Sequence, residues 1–244
     1  MSIQLKARPL QVKKAAADDV SVWLAFLDTP AFRFDELLSP EERGRAERFY
    51  FQRDRDRFIA RRGILRILLG CYLGVEPECV ELSRGEKGKP VIAGAPGGDT
   101  LHFNLSHSEN MALFAFSSEH EIGVDIEQMR DNVEMAQLVE RFFSEKEKEE
   151  WRALPESQRK EAFFNGWTRK EAFTKATGEG LTMPLDSFDV SLAPGEPARL
   201  LGIEGRANAA SAWTMLDLRP AAGFAAALAI EGKIGTFSLR RWAG

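Results

Sequence analysis

HFNLSHSENMALFAFSSEHEIGVDIE, running from His102 to Glu127, is the stretch around which the rest of the chain is organised. Leu101, Phe103 and Leu105 alternate with polar neighbours, and Met111 to Phe116 form a short apolar run. Two strands separated by a polar turn are therefore predicted. The stretch ends on Ile122-Gly123-Val124-Asp125-Ile126-Glu127. In an extended chain, side chains two apart point the same way, so Asp125 and Glu127 share one face and Val124 and Ile126 the other. Two carboxylates side by side on a mostly apolar strand repel each other, and burial sharpens the conflict. A hard divalent cation would remove it. So would a strand end that leaves the sheet with both acids in water.

The chain has 244 residues, 44% hydrophobic and 29% charged, which fits a globular protein of one large or two small domains. A net charge of −4 argues against general nucleic-acid binding. The two cysteines, Cys71 and Cys79, lack CxxC spacing and nearby histidines, so neither a zinc site nor a disulfide framework is indicated. No apolar run reaches the length of a membrane span and no signal peptide is evident. A reduced, cytoplasmic protein is expected.

Outward from the central stretch, residues 1 to 19 read as a loosely held lead-in. Ser21 to Leu27 alternates as a half-buried strand does. Ser39-Pro40-Glu41-Glu42 carries a helix start, with Ser39 as cap, Pro40 at the first helical position and Glu42 as capping-box partner. A helix is predicted from about Asp54 to Leu73, stopped by Gly74 and collecting Arg53, Arg55, Arg57, Arg61 and Arg62 on one face. Short strands at 80–82 and 90–92 flank the turn GEKGK, and 93–99 is a Gly/Pro-rich loop. Ser144 with Glu147 repeats the capping box. A long helix follows from about Ser157 to Thr177, ended by Gly178, and further strands fall at 188–192, 213–218 and 224–230.

The two parts of the chain resemble each other. FNLS at 103–106 has a counterpart in FDVS at 188–191, and ALFAFSSEHEIGVD from Ala112 parallels AAALAIEGKIGTF from Ala225. A duplicated α+β unit is expected, with halves 1–122 and 123–244. Asp125 and Glu127 then correspond to Phe237 and Leu239, so duplication accounts for the strand but not for its carboxylates.

In FFNGWTRKEAFTKATGEG, Glu171 and Lys175 are four apart and share a helix face. A surface ion pair is the ordinary reading, but Phe163, Phe164 and Trp167 close by suggest a cleft wall. A third carboxylate from this helix beside Asp125 and Glu127 would make an all-oxygen site, favouring Mg²⁺ or Mn²⁺ with phosphate oxygens filling the remaining positions. Ser106-His107-Ser108 in the turn upstream could hold phosphate through side chains and backbone N–H groups. Lys89 and the arginine-rich helix add positive charge that the net total hides. Met129, Val133, Met135 and Leu138 form either an adaptable docking surface or the buried face of a helix.

Taken together, GKP at 88–90, FNLSHS at 103–108, IGVDIE at 122–127, RFFSEKE at 141–147 and WTRKEAFTKATGEGL at 167–181 resemble the 4′-phosphopantetheinyl transferase family. The likeness is to its larger, duplicated type that activates surfactin synthetase and its relatives. The resemblance covers most of the chain from about 39 to 190. It implies an α+β monomer of two similar halves about a pseudo-twofold axis, with coenzyme A in the cleft between them. Such enzymes move the phosphopantetheine arm onto a serine of an acyl or peptidyl carrier protein and release 3′,5′-ADP. By motif, Asp125, Glu127 and Glu171 would hold Mg²⁺ on the pyrophosphate, with Mn²⁺ a possible substitute. Ser106 and His107 would contact phosphate, Lys89 would lie on the adenosine-phosphate side, and Lys175 would steady the charge on the pyrophosphate. Glu171 would also act as base toward the serine. Many relatives place a lysine for the 3′-phosphate where this chain has Glu42, so Arg45, Arg57 or Arg61 is expected to supply that contact. The main rival is a non-catalytic coenzyme A or nucleotide sensor that kept the metal site. A second, a Mg²⁺-dependent phosphohydrolase, lacks an identifiable water-positioning residue.

Overall fold

The computed structural model describes residues 19–28, 34–85, 89–93 and 101–243. The expected lead-in, the centre of the GEKGK turn and most of the Gly/Pro-rich loop lie outside the described residues. The first elements are β1 (Asp19–Phe26), α1 (Phe34–Leu37), α2 (Pro40–Ala46), α3 (Gln52–Leu73), β2 (Leu82–Arg84) and β3 (Pro90–Ile92). The central stretch supplies β4 (His102–Ser108), β5 (Met111–Ser117) and β6 (Ile122–Gln128). There follow α4 (Met135–Phe142), α5 (Glu145–Ala153), α6 (Glu156–Thr177), β7 (Phe188–Val190), β8 (Leu200–Ile203), β9 (Trp213–Leu218), β10 (Phe224–Glu231) and β11 (Thr236–Arg241).

Local signals fix the helices where the sequence places them. Glu42 N–H donates to Ser39 Oγ at 3.2 Å and Ser39 N–H to Glu42 Oε2 at 2.9 Å, a complete capping box. Ser144 and Glu147 close the second box in the same way. Both 22-residue helices, α3 and α6, end on a left-handed glycine, Gly74 and Gly178, each with φ of 69°. After each long helix come two short paired strands and three longer ones. In this order β7 is the counterpart of β2, and β4 that of β9. The expected match of FNLS with FDVS is thus a coincidence of alternating pattern: the first lies in β4, the second begins in the two-stranded β7–β8 pair.

The sheets cross between the two parts of the chain. One runs β11-β1-β5-β4 and the other β6-β10-β9. β6 therefore leaves the hairpin it follows and pairs antiparallel with β10, while β11 returns to pair parallel with β1. Four layers result. α3 packs Ile64, Leu65 and Leu68 on Phe103, Phe114 and Phe116. The other face of that sheet, with Val22, Leu113 and Ala115, meets Ile122, Val124, Ile126 and Leu228 of the second sheet. α6 covers the outer side of the second sheet through Ala172, Phe173 and Ala176 against Ala227 and Ala229. β5 is buried along its whole length because both its faces are covered, which explains its unbroken apolar run.

Two residues of the TRKEAF segment serve this packing. Lys170, fully buried, donates to the carbonyls of Leu185 and Phe188, each at 2.7 Å, and pairs with Glu147 at 2.8 Å. Arg169 forms a fork with both carboxylate oxygens of Asp217, at 2.8 and 2.9 Å, and donates to Ser191 O at 2.7 Å. Such desolvated charges persist only where their hydrogen bonds are complete, and here they tie α6 to α5, β7 and β9.

Candidate active site

β6 carries the site because its two faces do different work. Val124 and Ile126 enter the core between the sheets, while Gly123, Asp125 and Glu127 face α6. A Cβ on Gly123 would lie 2.0 Å from Ala172 O and 2.4 Å from Ala176 N, so only glycine lets the strand cross the helix backbone this closely. Asp125 then meets Lys175, whose Nζ donates to Asp125 Oδ1 at 2.6 Å, Ser106 Oγ at 3.1 Å and Val124 O at 3.4 Å.

β4 supports the same strand through side chains. Asn104 Oδ1 accepts from Val124 N–H at 3.0 Å, Ser106 Oγ donates to Asp125 Oδ1 at 2.8 Å, and Ser108 Oγ donates to Glu127 Oε2 at 3.0 Å. The expected turn at Ser106-His107-Ser108 is thus strand, paired with β5 across Leu113, Ala112 and Met111. The turn itself is Glu109-Asn110, and the alternation puts Ser106 and His107 on opposite faces. The N-x-S-x-S spacing of 104–108 is the sequence signal of this side-chain ladder.

Asp125 is 3% exposed and its Oδ2 has no partner among the described residues. Burial, and then the Asp125 charge, raise Glu127 above the usual carboxylate range and raise Glu171 likewise. The Glu171 carboxylate makes no hydrogen bond to described residues, and Lys175 pairs with Asp125 rather than with Glu171. Among the described residues no group of three or more acidic, histidine or cysteine side chains is placed to hold a metal ion. Phe163, Phe164 and Trp167 do not wall this cleft. They join the apolar cluster of Phe143, Val139 and Trp151, where Met129, Val133, Met135 and Leu138 also pack, so that group is the inner face of a helix and its approach.

The opposite end is cationic. A cavity of about 330 Å³ is bounded by Arg53, Arg57, Arg61 and His107 with Phe49 and Phe58, and by the acids Asp54 and Glu109. Arg57 is held by Asp28 at 2.6 and 2.8 Å and by Glu109 at 3.3 Å. Arg61 lies 5.7 Å over the Phe58 ring, and its Nε has no partner among the described residues. Burial, then Arg62 and Arg45, push its guanidinium down to about 10. Arg45 lies 5.4 Å from the same ring. Glu42 neutralises Arg62 at 2.7 Å and Arg66 at 2.7 Å, so it acts as a helix cap and cross-link. Lys89 stands apart, paired with Glu121 at 2.7 Å near the start of β6. A larger hollow of about 700 Å³, around Arg206 and Trp213, shares no residue with this cleft.

His107 joins the two ends. Partial burial of its ring, then the charges of Arg61 and Lys175, lower it to about 4, although the residue as a whole is exposed. An unfolded histidine titrates near 6.5, so the unfolded chain binds the extra proton between about pH 6.5 and 4, and the stability contributed by this group is lost as pH drops through that window. A phosphate dianion in the cavity would reverse the balance. We expect the His107 ring to titrate at least about one unit higher when 3′,5′-ADP is bound. A ring NMR titration that shows no upward shift with saturating ligand would count against phosphate beside His107.

A cleft with carboxylates at one end and cations at the other suits a polyanion and a cation together. Residues 121–229 match the 4′-phosphopantetheinyl transferase superfamily, and residues 30–119 match its N-terminal 4′-phosphopantetheinyl transferase family. The 4′-phosphopantetheinyl transferase HetI of Nostoc is 42% identical over 219 residues, covering 88% of this chain and 89% of that protein. The chain belongs to the 4′-phosphopantetheinyl transferases. The 4′-phosphopantetheinyl transferase Sfp of Bacillus subtilis is 35% identical over 160 residues, covering 66% of this chain and 69% of Sfp. Among solved structures, the holo-[acyl-carrier-protein] synthase of Thermotoga maritima aligns with 46% of this chain and 63% of its own at a TM-score of 0.38 and 23% identity. As a transferase of this family the protein takes coenzyme A as substrate. None of the described helices is long and apolar enough to cross a membrane.

Proposed function

We propose that this transferase moves 4′-phosphopantetheine from coenzyme A to a serine of an acyl or peptidyl carrier protein, as a Mg²⁺-dependent cytoplasmic monomer whose two halves, 1–122 and 123–244, enclose the cleft. The observation that carries the metal is Asp125 Oδ2, a buried carboxylate oxygen without a partner among the described residues, beside two carboxylates that burial and the Asp125 charge hold above their usual range. Oxygen donors of this kind suit a hard divalent ion, which Asp125, Glu127 and Glu171 would hold only together with oxygens of the substrate. When bound, the ion neutralises pyrophosphate charge.

The chain's own groups do the rest. Arg61 and His107 border the place for a substrate phosphate, and Arg45 lies against the Phe58 ring of the same wall. The carrier serine oxygen attacks the phosphorus on the pantetheine side of the pyrophosphate, and the bond to the bridging oxygen breaks, releasing 3′,5′-ADP. Glu171 accepts the serine proton directly or through water. Lys175, within reach of both β4 and β6, donates to the oxygen that gains charge. Lys175 also disfavours the sensor reading, since binding alone would not require it.

The test is intact mass of an apo carrier protein incubated with this protein, coenzyme A and Mg²⁺. A gain of one phosphopantetheine, lost with EDTA, is expected. No gain across acyl and peptidyl carriers, despite measurable coenzyme A binding, would favour the sensor.

A further inference from the structure

We propose that Glu109 is a resident counter-anion of the cationic cavity and sets how tightly a substrate phosphate binds there; the inference rests on the coenzyme A reading above. Glu109 sits at the tip of the β4–β5 turn with φ of 51°, a conformation favouring glycine or asparagine. Among the described residues, only Asn208 shares a positive φ without being glycine. A glutamate therefore stands where local structure disfavours it.

Its carboxylate is not needed to hold Arg57. Asp28 already takes Arg57 through two short hydrogen bonds, and Glu109 adds a longer one of 3.3 Å to Nη1. What Glu109 adds is a negative charge in the wall that carries Arg61 and His107. The other acid of the wall, Asp54, is engaged by its neighbour Arg53 at 3.2 Å. The Glu109 side chain is 39% exposed, so its bond to Arg57 is readily exchanged. An entering phosphate must displace this carboxylate or sit against it. Substrate and 3′,5′-ADP share that penalty, which hastens release of the product.

The experiment is calorimetric titration of 3′,5′-ADP, without Mg²⁺, into the wild-type chain, Glu109→Gln and Glu109→Gly. Glu109→Gln keeps the side-chain length and removes the charge, and Glu109→Gly suits the backbone. Both variants are expected to bind about three- to tenfold more tightly at low salt. The gain should shrink as salt rises from about 0.05 to 0.5 M. A role in shaping the turn alone would not produce that salt dependence. Equal or weaker binding by both variants, with the wild-type chain modifying the carrier, overturns the role of Glu109 alone. Absence of 3′,5′-ADP binding in all three proteins, together with no carrier modification, overturns it along with the coenzyme A reading.

Discussion

Asp125→Ala is expected to abolish carrier modification, a loss of at least about a thousandfold in rate, while the protein unfolds at the same urea concentration or a slightly higher one. The two halves of this expectation have separate causes. Asp125 is the carboxylate on which the site converges: Lys175 and Ser106 both donate to its Oδ1, and its Oδ2 is a buried oxygen without a partner among the described residues. Its removal takes away the charge on which a divalent ion and Lys175 are both positioned. Yet the same charge raises Glu127 and Glu171, so its loss relieves repulsion inside the fold. Lys175 keeps Ser106 and the Val124 carbonyl as partners. A structural residue would show the reverse pattern, with stability lost and activity falling in proportion. Asp125→Asn keeps an acceptor for Ser106 and Lys175 but not the charge, and should lose at least about a hundredfold. Carrier modification by Asp125→Ala within tenfold of wild type, measured by intact mass under initial-rate conditions, would sink the assignment of Asp125 to the reaction.

What could be read from sequence is what depends on neighbours in sequence. Period-two alternation told that Asp125 and Glu127 share a face, and the caps at Ser39, Ser144, Gly74 and Gly178 placed the helices. Alternation names a face but not the strand that lies beside it. Hence the crossing of β6 to β10 was not legible, and neither was the side-chain ladder from Asn104, Ser106 and Ser108. The turn expected at Ser106-His107-Ser108 failed for a related reason. Short polar residues favour turns, but here each serine answers a carboxylate about 19 residues away on β6. The aromatic group at Phe163 to Trp167 was read from its helical wheel alone, where α4 and α5, which cover it, do not appear. Lys170 next to Glu171 shows the same limit. Adjacent charges on one helix lie a hundred degrees apart, and one is sealed in the core while the other borders the cleft.

Gly123→Ala tests the other requirement of the site, which is position rather than charge. The added methyl would meet Ala172 O at 2.0 Å and Ala176 N at 2.4 Å. Both contacts are backbone, so no side chain can swing aside; β6 or α6 must move. Gly166 offers a contrast, since a methyl there meets the end of the Phe143 ring at 2.8 Å, which can give way more readily. Overpacking of this kind costs about 1–3 kcal/mol, and the rigid neighbours put Gly123→Ala at or above the upper end. For a chain of this size about 3 kcal/mol corresponds to a melting temperature roughly 6–12 °C lower. The activity loss should exceed what that stability predicts at a temperature where the variant remains folded. Asp125 follows two residues after Gly123, and Glu171 and Lys175 lie on the helix that is displaced. A shift of about 1 Å between them costs on the order of a hundredfold in a reaction that depends on alignment. The two substitutions therefore separate on two axes. Asp125→Ala loses chemistry and keeps the fold, whereas Gly123→Ala loses both, with Gly166→Ala the milder of the two glycine changes. Thermal melts and initial rates on the three variants decide the matter. If Gly123→Ala melted with wild type and modified the carrier at the wild-type rate, the close crossing of β6 over α6 would not be what aligns the site.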